Sequence, residues 1–198
     1  KVMSLAGQAG VAVQNLRSLQ LAELRAVEAQ SRSQELSLIN RVVTATVSSP
    51  DLRQVLDAVA GELIDLFSLS DVVIALLDEL GVELTVVSER SQSAVETSMI
   101  GYKIPVPGNS AVEQVIAQKL RQVVTDAQIN PLITPLHSWM RLRQVQTVAI
   151  FPLITAGRVV GIVLMDLLEE ERSFSISELD LATTLVGQIS TTIQNANL

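Results

Sequence analysis

The chain has 198 residues, 48% of them hydrophobic but only 3% aromatic, so one domain of about 150 residues with helical extensions is expected, its core built from Leu, Val, Ile and Ala. Fourteen basic against twenty-one acidic residues leave a net charge of −7, which opposes the phosphate neutralisation behind most nucleic-acid binding, so no nucleic-acid partner is expected. The absence of cysteine excludes disulfide scaffolds, thiolate metal sites, thiol nucleophiles and thioether-linked chromophores, and fits cytoplasmic residence.

From Leu5 to Thr46 the residues are good helix formers without proline. Leu5, Ala9, Ala12, Leu16 and Leu19 step by four and three, which predicts a seam for a partner helix. Between Glu28 and Glu35 only Ala29 is apolar, so the helix there is solvated or bridges two packed regions. The seam resumes at Leu36, Ile39 and Val43. The opening KVMSLAGQAGVAV has a lysine before small and apolar residues, as a signal peptide does, but Gln8 counts against that reading.

An internal echo counts against it too. Leu5 to Ser18 matches Leu185 to Leu198 at one constant offset, with identities at Leu5/Leu185, Gly7/Gly187, Gln8/Gln188, Gln14/Gln194 and Asn15/Asn195. Shared amphipathicity does not explain the paired Gly-Gln and Gln-Asn. The expectation is a tandem array in which residues 1–35 form a linker helix carrying the end of a preceding module and residues 36–198 form the module itself.

Ser49, Pro50 and Asp51 read as the cap and first turn of a second helix, with Leu52, Val55, Leu56, Val59, Leu63 and Phe67 on its buried face. Two β-rich runs follow, Val72 to Leu77 and Val82 to Val87, joined by a turn at Asp78 to Gly81, which predicts an antiparallel hairpin. No apolar run approaches the roughly 20 residues of a membrane helix, so no direct membrane insertion is expected. A third strand is predicted around Met99 to Val106, with Pro105 and Pro107 at its end or on an edge. Asn109 or Ser110 caps a helix to about Lys119, and Gln122 to Thr125 returns as a short strand.

Ala127 to Gln144 carries no clear pattern; within it Arg141, Leu142 and Arg143 read as a solvated loop face in preference to an anion site. Val148 to Ile154 and Val159 to Asp166 form the strongest hairpin, turning through Thr155, Ala156 and Gly157. Pro152 conflicts with a central strand and predicts a bulge or a missing ladder bond. Ser175 with Glu178 forms a capping box for a final helix. Its stripe, Leu179, Ala182, Leu185 or Val186, Ile189, Ile193 and Ala196, keeps a coiled-coil rhythm that predicts dimer contacts at Ala182, Val186, Ile189 and Ile193.

The ordered set of parts resembles the GAF domain family. IPVPGNSAVEQVIAQKLRQVVTDA (Ile104 to Ala127) is similar to that family's strand-helix-strand passage, VAIFPLITAGRVVGIVLMD (Val148 to Asp166) to its last hairpin, and FSISELDLATTL (Phe174 to Leu185) to its closing-helix entry. The resemblance covers roughly Leu36 to Leu198. It implies an α+β fold, an antiparallel twisted sheet of about five to six strands with helices packed on one face and a small-molecule pocket on the other. It also implies long flanking helices that pair in a homodimer, and an output domain such as a histidine kinase or cyclase elsewhere in the protein.

No phosphate-cradling G-x-x-x-x-G-K-[ST], dinucleotide G-x-G-x-x-G or zinc-binding H-E-x-x-H occurs, and no metal site or enzymatic activity is expected. His137, the one histidine, has no paired carboxylate or second ligand in PLHSWM, which argues against catalysis and haem. A covalent bilin is excluded without cysteine. The Asn-Lys, Phe, Asp-Glu signature of cyclic-nucleotide-binding relatives is not found. If a small ligand binds, the resemblance points to walls made by Tyr102, Ile104, Leu132, Trp139, Met140 and Phe151. For each the alternative is packing against the sheet, and for Asp126 it is capping a turn. A sensor of an unidentified ligand and a ligand-free dimerising spacer are both left open.

Overall fold

The computed structural model of the chain describes residues 52–92, 97–168 and 172–196. The helix expected over Leu5 to Thr46, its seam and the cap at Ser49 to Asp51 lie outside them. In chain order the described elements are α1 (Leu52–Phe67), β1 (Asp71–Leu77), β2 (Glu83–Ser91), β3 (Lys103–Pro105), α2 (Ser110–Gln118), β4 (Gln122–Thr125), a 3-10 segment (Pro131–Leu136), α3 (His137–Leu142), β5 (Thr147–Thr155), β6 (Arg158–Leu167) and α4 (Ile176–Ala196). The strands form one six-stranded sheet in the order β3-β2-β1-β6-β5-β4, every neighbouring pair antiparallel.

The local chemistry explains where the elements begin and end. The β1–β2 turn closes because Asp78 Oδ1 accepts from Val82 N at 2.8 Å and Glu83 N at 3.2 Å, with Gly81 at φ +72°. The third strand is shorter than expected: Pro105 ends it on the sheet edge, and beyond its ends Gly101 and Tyr102 bond the backbone of Val86 and Val106 N donates to Val82 O. Pro152 lies beyond Ile150, the last β5 residue that β4 pairs, and a register shift follows at Leu153/Ile154. The proline therefore sits where β5 has lost one neighbour and begins to bulge. At α4 the capping box is formed, Glu178 N donating to Ser175 Oγ at 3.2 Å and Ser175 N to Glu178 Oε2 at 2.8 Å.

Each face of the sheet carries its own layer. On the back, α1 packs on β1 and β2 and α4 packs on β5, side by side. Val55, Leu56, Val59, Ala60, Leu63, Ile64 and Phe67 make the buried stripe of α1, spaced as a 3.6-residue period requires. Arg172 ties the two helices together by donating to the carbonyls of Phe67 and Ser68. On the front lie α2, the 3-10 segment and α3. There Val73, Ala75, Leu84, Val86, Ile104, Val148, Ile150, Ile162 and Leu164 of the strands meet Val112, Val115, Ile133, Leu136 and Met140 of the cover.

Gly161 shows how closely the central strands approach. It faces Leu76 of β1 and Leu153 of β5, and a Cβ there would stand 2.3 Å from the Ala75 carbonyl oxygen. Gly161→Ala is expected to cost about 2–3 kcal/mol through strain that the flanking strands cannot relieve. Gly187→Ala, whose Cβ meets nothing within 4 Å on an exposed helical face, is expected to be neutral or to stabilise by up to about 1 kcal/mol. Urea unfolding midpoints of the two variants check this; similar midpoints would mean that the β1–β6 contact yields.

Candidate functional site

The front cover is held down by one arginine. Arg143 follows α3 directly, placed by the helix end: Arg143 N donates to Trp139 O at 3.0 Å, Val145 N to Met140 O at 2.9 Å, and Gln144 takes φ +57°. The side chain is 3% exposed. Its Nη1 donates to Asp71 Oδ1 at 2.7 Å, and its Nη2 to Glu89 Oε1 and Thr97 O, both at 2.6 Å. The guanidinium carbon lies 4.6 Å from the Trp139 ring centroid, a cation–π contact that strengthens as water is removed. The sequence reading of Arg141 to Arg143 as a solvated face is thus corrected. Arg141 and Leu142 are exposed, but Arg143 turns inward because two buried carboxylates need a counter-charge.

A bulge delivers one of those carboxylates. Ile74 faces Ser88 and Ala75 faces Val86, which leaves Val87 as the extra residue of β2. That residue reverses the alternation, so Leu84 and Val86 face the front before it and Glu89 faces the front after it, opposite Val73. Glu89 Oε2 also accepts from Ser98 Oγ at 2.6 Å and Met99 N at 2.8 Å. Arg143 and Glu89 together fix the segment that leads into β3.

The charge is not balanced. Asp166 stands opposite Asp71 across the β1–β6 ladder, is 2% exposed, and makes the third acid near one guanidinium. Burial raises the Asp166 pKa well above 3.8, the negative charge of Asp71 raises it further, Arg143 opposes this and Glu89 adds to it. Asp71 Oδ2, Asp166 Oδ1, Arg143 Nε and both side-chain polar atoms of Asn109 are buried without a hydrogen-bond partner among the described residues. Asn109 heads α2, whose Ala111, Val112 and Val115 belong to the front core.

The wall residues proposed from the sequence separate into three groups. Ile104, Trp139 and Met140 are buried together in the front core, with Leu132 packed against it. Tyr102 joins them at the rim, 38% exposed, its ring 6.2 Å from that of Trp139 and tilted by 34°. Asp126 is exposed at φ +51°, and its backbone carbonyl closes the turn after β4 by accepting from Ile129 N and Asn130 N. Phe151 faces Val163 across the ladder and lies on the back of the sheet beside α4, because Val148 and Ile150 take the front positions of β5.

His137 closes the cover segment: its Nε2 donates to Asn130 O at 2.7 Å. Asn130 in turn caps that segment, Oδ1 accepting from Leu132 N at 3.1 Å and Nδ2 donating to Thr125 O at 2.8 Å. Among the described residues no cluster of three or more His, Cys, Asp or Glu has the arrangement of a metal site. Nor is any described helix long and apolar enough to cross a membrane. Ala182, Val186, Ile189 and Ile193, the α4 seam expected to pair with a second chain, are 1–3% exposed and lie on the side of α4 that packs on the chain's own fold.

Two expectations test the charge cluster. Removing its only cation with Arg143→Met should cost about 3–5 kcal/mol, since Asp71 and Glu89 would be left buried and unpaired. Because the folded-state pKa of Asp166 is raised, the folded chain binds more protons than the unfolded one above the ordinary carboxylate range. Stability therefore falls as pH rises from about 4 through the raised value, by about 1.4 kcal/mol per unit of displacement. Asp166→Asn should flatten that slope and melt above wild type at pH 8; parallel melting profiles would show that Asp166 carries no such linkage.

The family model described as the GAF domain matches residues 49–194. The fold is similar to the phycoerythrobilin-bound GAF domain of a cyanobacterial phytochrome, at 18% identity and a TM-score of 0.69, over 82% of this chain and 96% of that one. It is similar to the GAF domain of a phosphoenolpyruvate-protein phosphotransferase from Coxiella burnetii at 17% identity and 0.69, over 83% and 95%. A methyl-accepting chemotaxis protein shares it at 19% and 0.66, over 81% and 96%. No curated protein sequence matches the chain.

Proposed function

Since this chain belongs to the GAF domain family, we propose that it is a regulatory module of a signal-transduction protein that senses a small molecule at the front of its sheet. The observation that carries this is the set of buried polar atoms that find no hydrogen-bond partner among the described residues. The Asn109 amide, Arg143 Nε, Asp71 Oδ2 and Asp166 Oδ1 lie in the front half of the molecule, beneath or beside an apolar cover. Native interiors seldom leave such groups unmatched; Arg143, Asp71 and Asp166 stand at one end of the front core and Asn109 at the β3 end, and an apolar wall with a few polar atoms is the ordinary make-up of a ligand site.

The cover is the part suited to respond. Residues 131–142 are a 3-10 segment broken at Ile133 (φ −131°) followed by a six-residue helix, and they are joined to the sheet by no ladder bonds. A ligand that binds better when this segment is displaced shifts the equilibrium by that difference in affinity. The output domain, a histidine kinase or cyclase for example, is regulated through the flanking helices of a homodimer in the cytoplasm, and the module has no catalysis of its own. Within α4 the pairing surface is the outer face that carries Thr184 and Thr191, since the apolar stripe is taken up inside the chain.

The second reading, a ligand-free dimerising spacer, is favoured by the complete burial of Ile133, Leu136 and Met140 at 0–1% exposure. Native mass spectrometry of gently purified protein separates the two. The sensor reading expects dimer mass with a discrete excess, lost in a folded Asn109→Leu variant and accompanied by a shift in emission from Trp139, the chain's one tryptophan. Bare dimer mass, unchanged when cell extract is added back, would replace it with the spacer.

A further inference from the structure

A concavity lies on the face of the sheet opposite the front site and owes nothing to that site. It is a groove of about 530 Å³ between α4, the end of β5 and the loop from α2 to β4, within the roughly 300–1,000 Å³ of small-molecule sites. Its floor is apolar: Phe151, Pro152 and Ile154 of β5 and Val186 of α4. It exists because α4 covers β5 but leaves the back of β4 open, so that Val123 is 37% and Ile154 36% exposed, and Leu120 at the mouth is 64% exposed. Gly187 deepens it, having no side chain where a Cβ would meet nothing within 4 Å.

The mouth is cationic at one end. Lys119 and Arg121 stand on the α2–β4 loop, in a chain whose net charge is −7, so this end is an exception to the overall field. Neither cation is committed to a strong partner. Lys119 Nζ donates to Gly157 O at 2.7 Å and keeps two further N–H donors. Arg121 pairs with Asp180 at 2.7 Å, but the Asp180 side chain is 63% exposed, and such surface pairs contribute little and exchange readily. Thr183 Oγ1 accepts from Arg121 Nη1 at 2.9 Å, which holds the guanidinium over the groove.

We propose that this groove binds an amphipathic carboxylate, its apolar body along β5 and α4 and its carboxylate at Lys119 and Arg121. An uncharged chain of the same length would leave the cationic end unused. A carboxylate without an apolar body would leave Phe151, Pro152 and Val186 uncovered. Asp180 is the internal competitor for Arg121, so the site is tuned by that residue as well as by the ligand.

The test is isothermal titration of the full chain with sodium dodecanoate below its micelle concentration, beside 1-dodecanol. Saturable binding of one dodecanoate is expected, weakened tenfold or more for dodecanol and for Lys119→Gln, and strengthened several-fold by Asp180→Asn. Gly187→Leu, which fills open space, should abolish binding with the far-ultraviolet dichroism unchanged; should it fail to fold, Lys119→Gln and Asp180→Asn still decide. Equal affinity for dodecanol, or indifference to all three substitutions, would overturn the proposal. No dodecanoate binding, with wild-type dimers that Gly187→Leu disperses in sedimentation, would overturn it by assigning the groove to a second copy of the chain.

Discussion

The structure depends on the position of β1. It has a hydrogen-bonded strand on each side, β2 and β6, and a layer of helices on each face, so Val72 to Ala75 are at most 1% exposed. A strand so placed reads as a continuous apolar run, and any polar side chain on it must be met from within the protein. Asp71 is that side chain. Its burial demands a cation, the cation arrives from the end of α3, and α3 with the preceding 3-10 segment thereby becomes the lid of the front core. Replacing the ion pair by apolar residues would be no great loss in free energy; what the pair supplies is one defined seat for the cover.

The excess acid is the other consequence. Arg143 faces Asp71 and Glu89 directly, and burial together with the negative charge of Asp71 raises the Asp166 pKa well above the ordinary carboxylate value, against the pull of Arg143. The bulge at Val87 belongs to the same arrangement, because without it Glu89 would point to the back, where α1 already occupies the surface of β2.

Elements with strong local chemistry were legible in the sequence. The capping box at Ser175, the Asp78 to Gly81 turn and the two apolar runs of the last hairpin are decided by residues near one another in the chain, and they fold as their patterns say. The cover was not legible, since its helix is six residues long and its 3-10 segment begins at a proline; both follow from tertiary packing and not from periodicity. Arg143 was misread for a related reason. In sequence it sits in a short basic run, and only the fold brings Asp71 and Glu89 to it from 72 and 54 residues away. The α4 stripe was read correctly as buried, but an apolar seam does not say whether a partner helix or the chain's own sheet covers it. Trp139 and Met140 lie with Ile104 in the front core, whereas Phe151 needed the alternation of β5 to be phased, which the bulge beyond Pro152 obscures.

The same alternation makes β5 the link between the two faces. Val148 and Ile150 touch the front core, while the alternate residues Ala149, Phe151 and Leu153 lie under α4, one strand thickness away. At its far end the strand is bonded to the helix itself: Ile154 N donates to Ser190 Oγ at 2.9 Å and Thr155 Oγ1 to Ser190 O at 3.2 Å. Packed side chains and two hydrogen bonds therefore join the strand under the cover to α4. Close-packed interiors transmit strain because they have few voids to absorb it. Coupling of this kind needs an element with two arrangements, and in the proposed sensor reading that element is the cover, held to the sheet through Arg143.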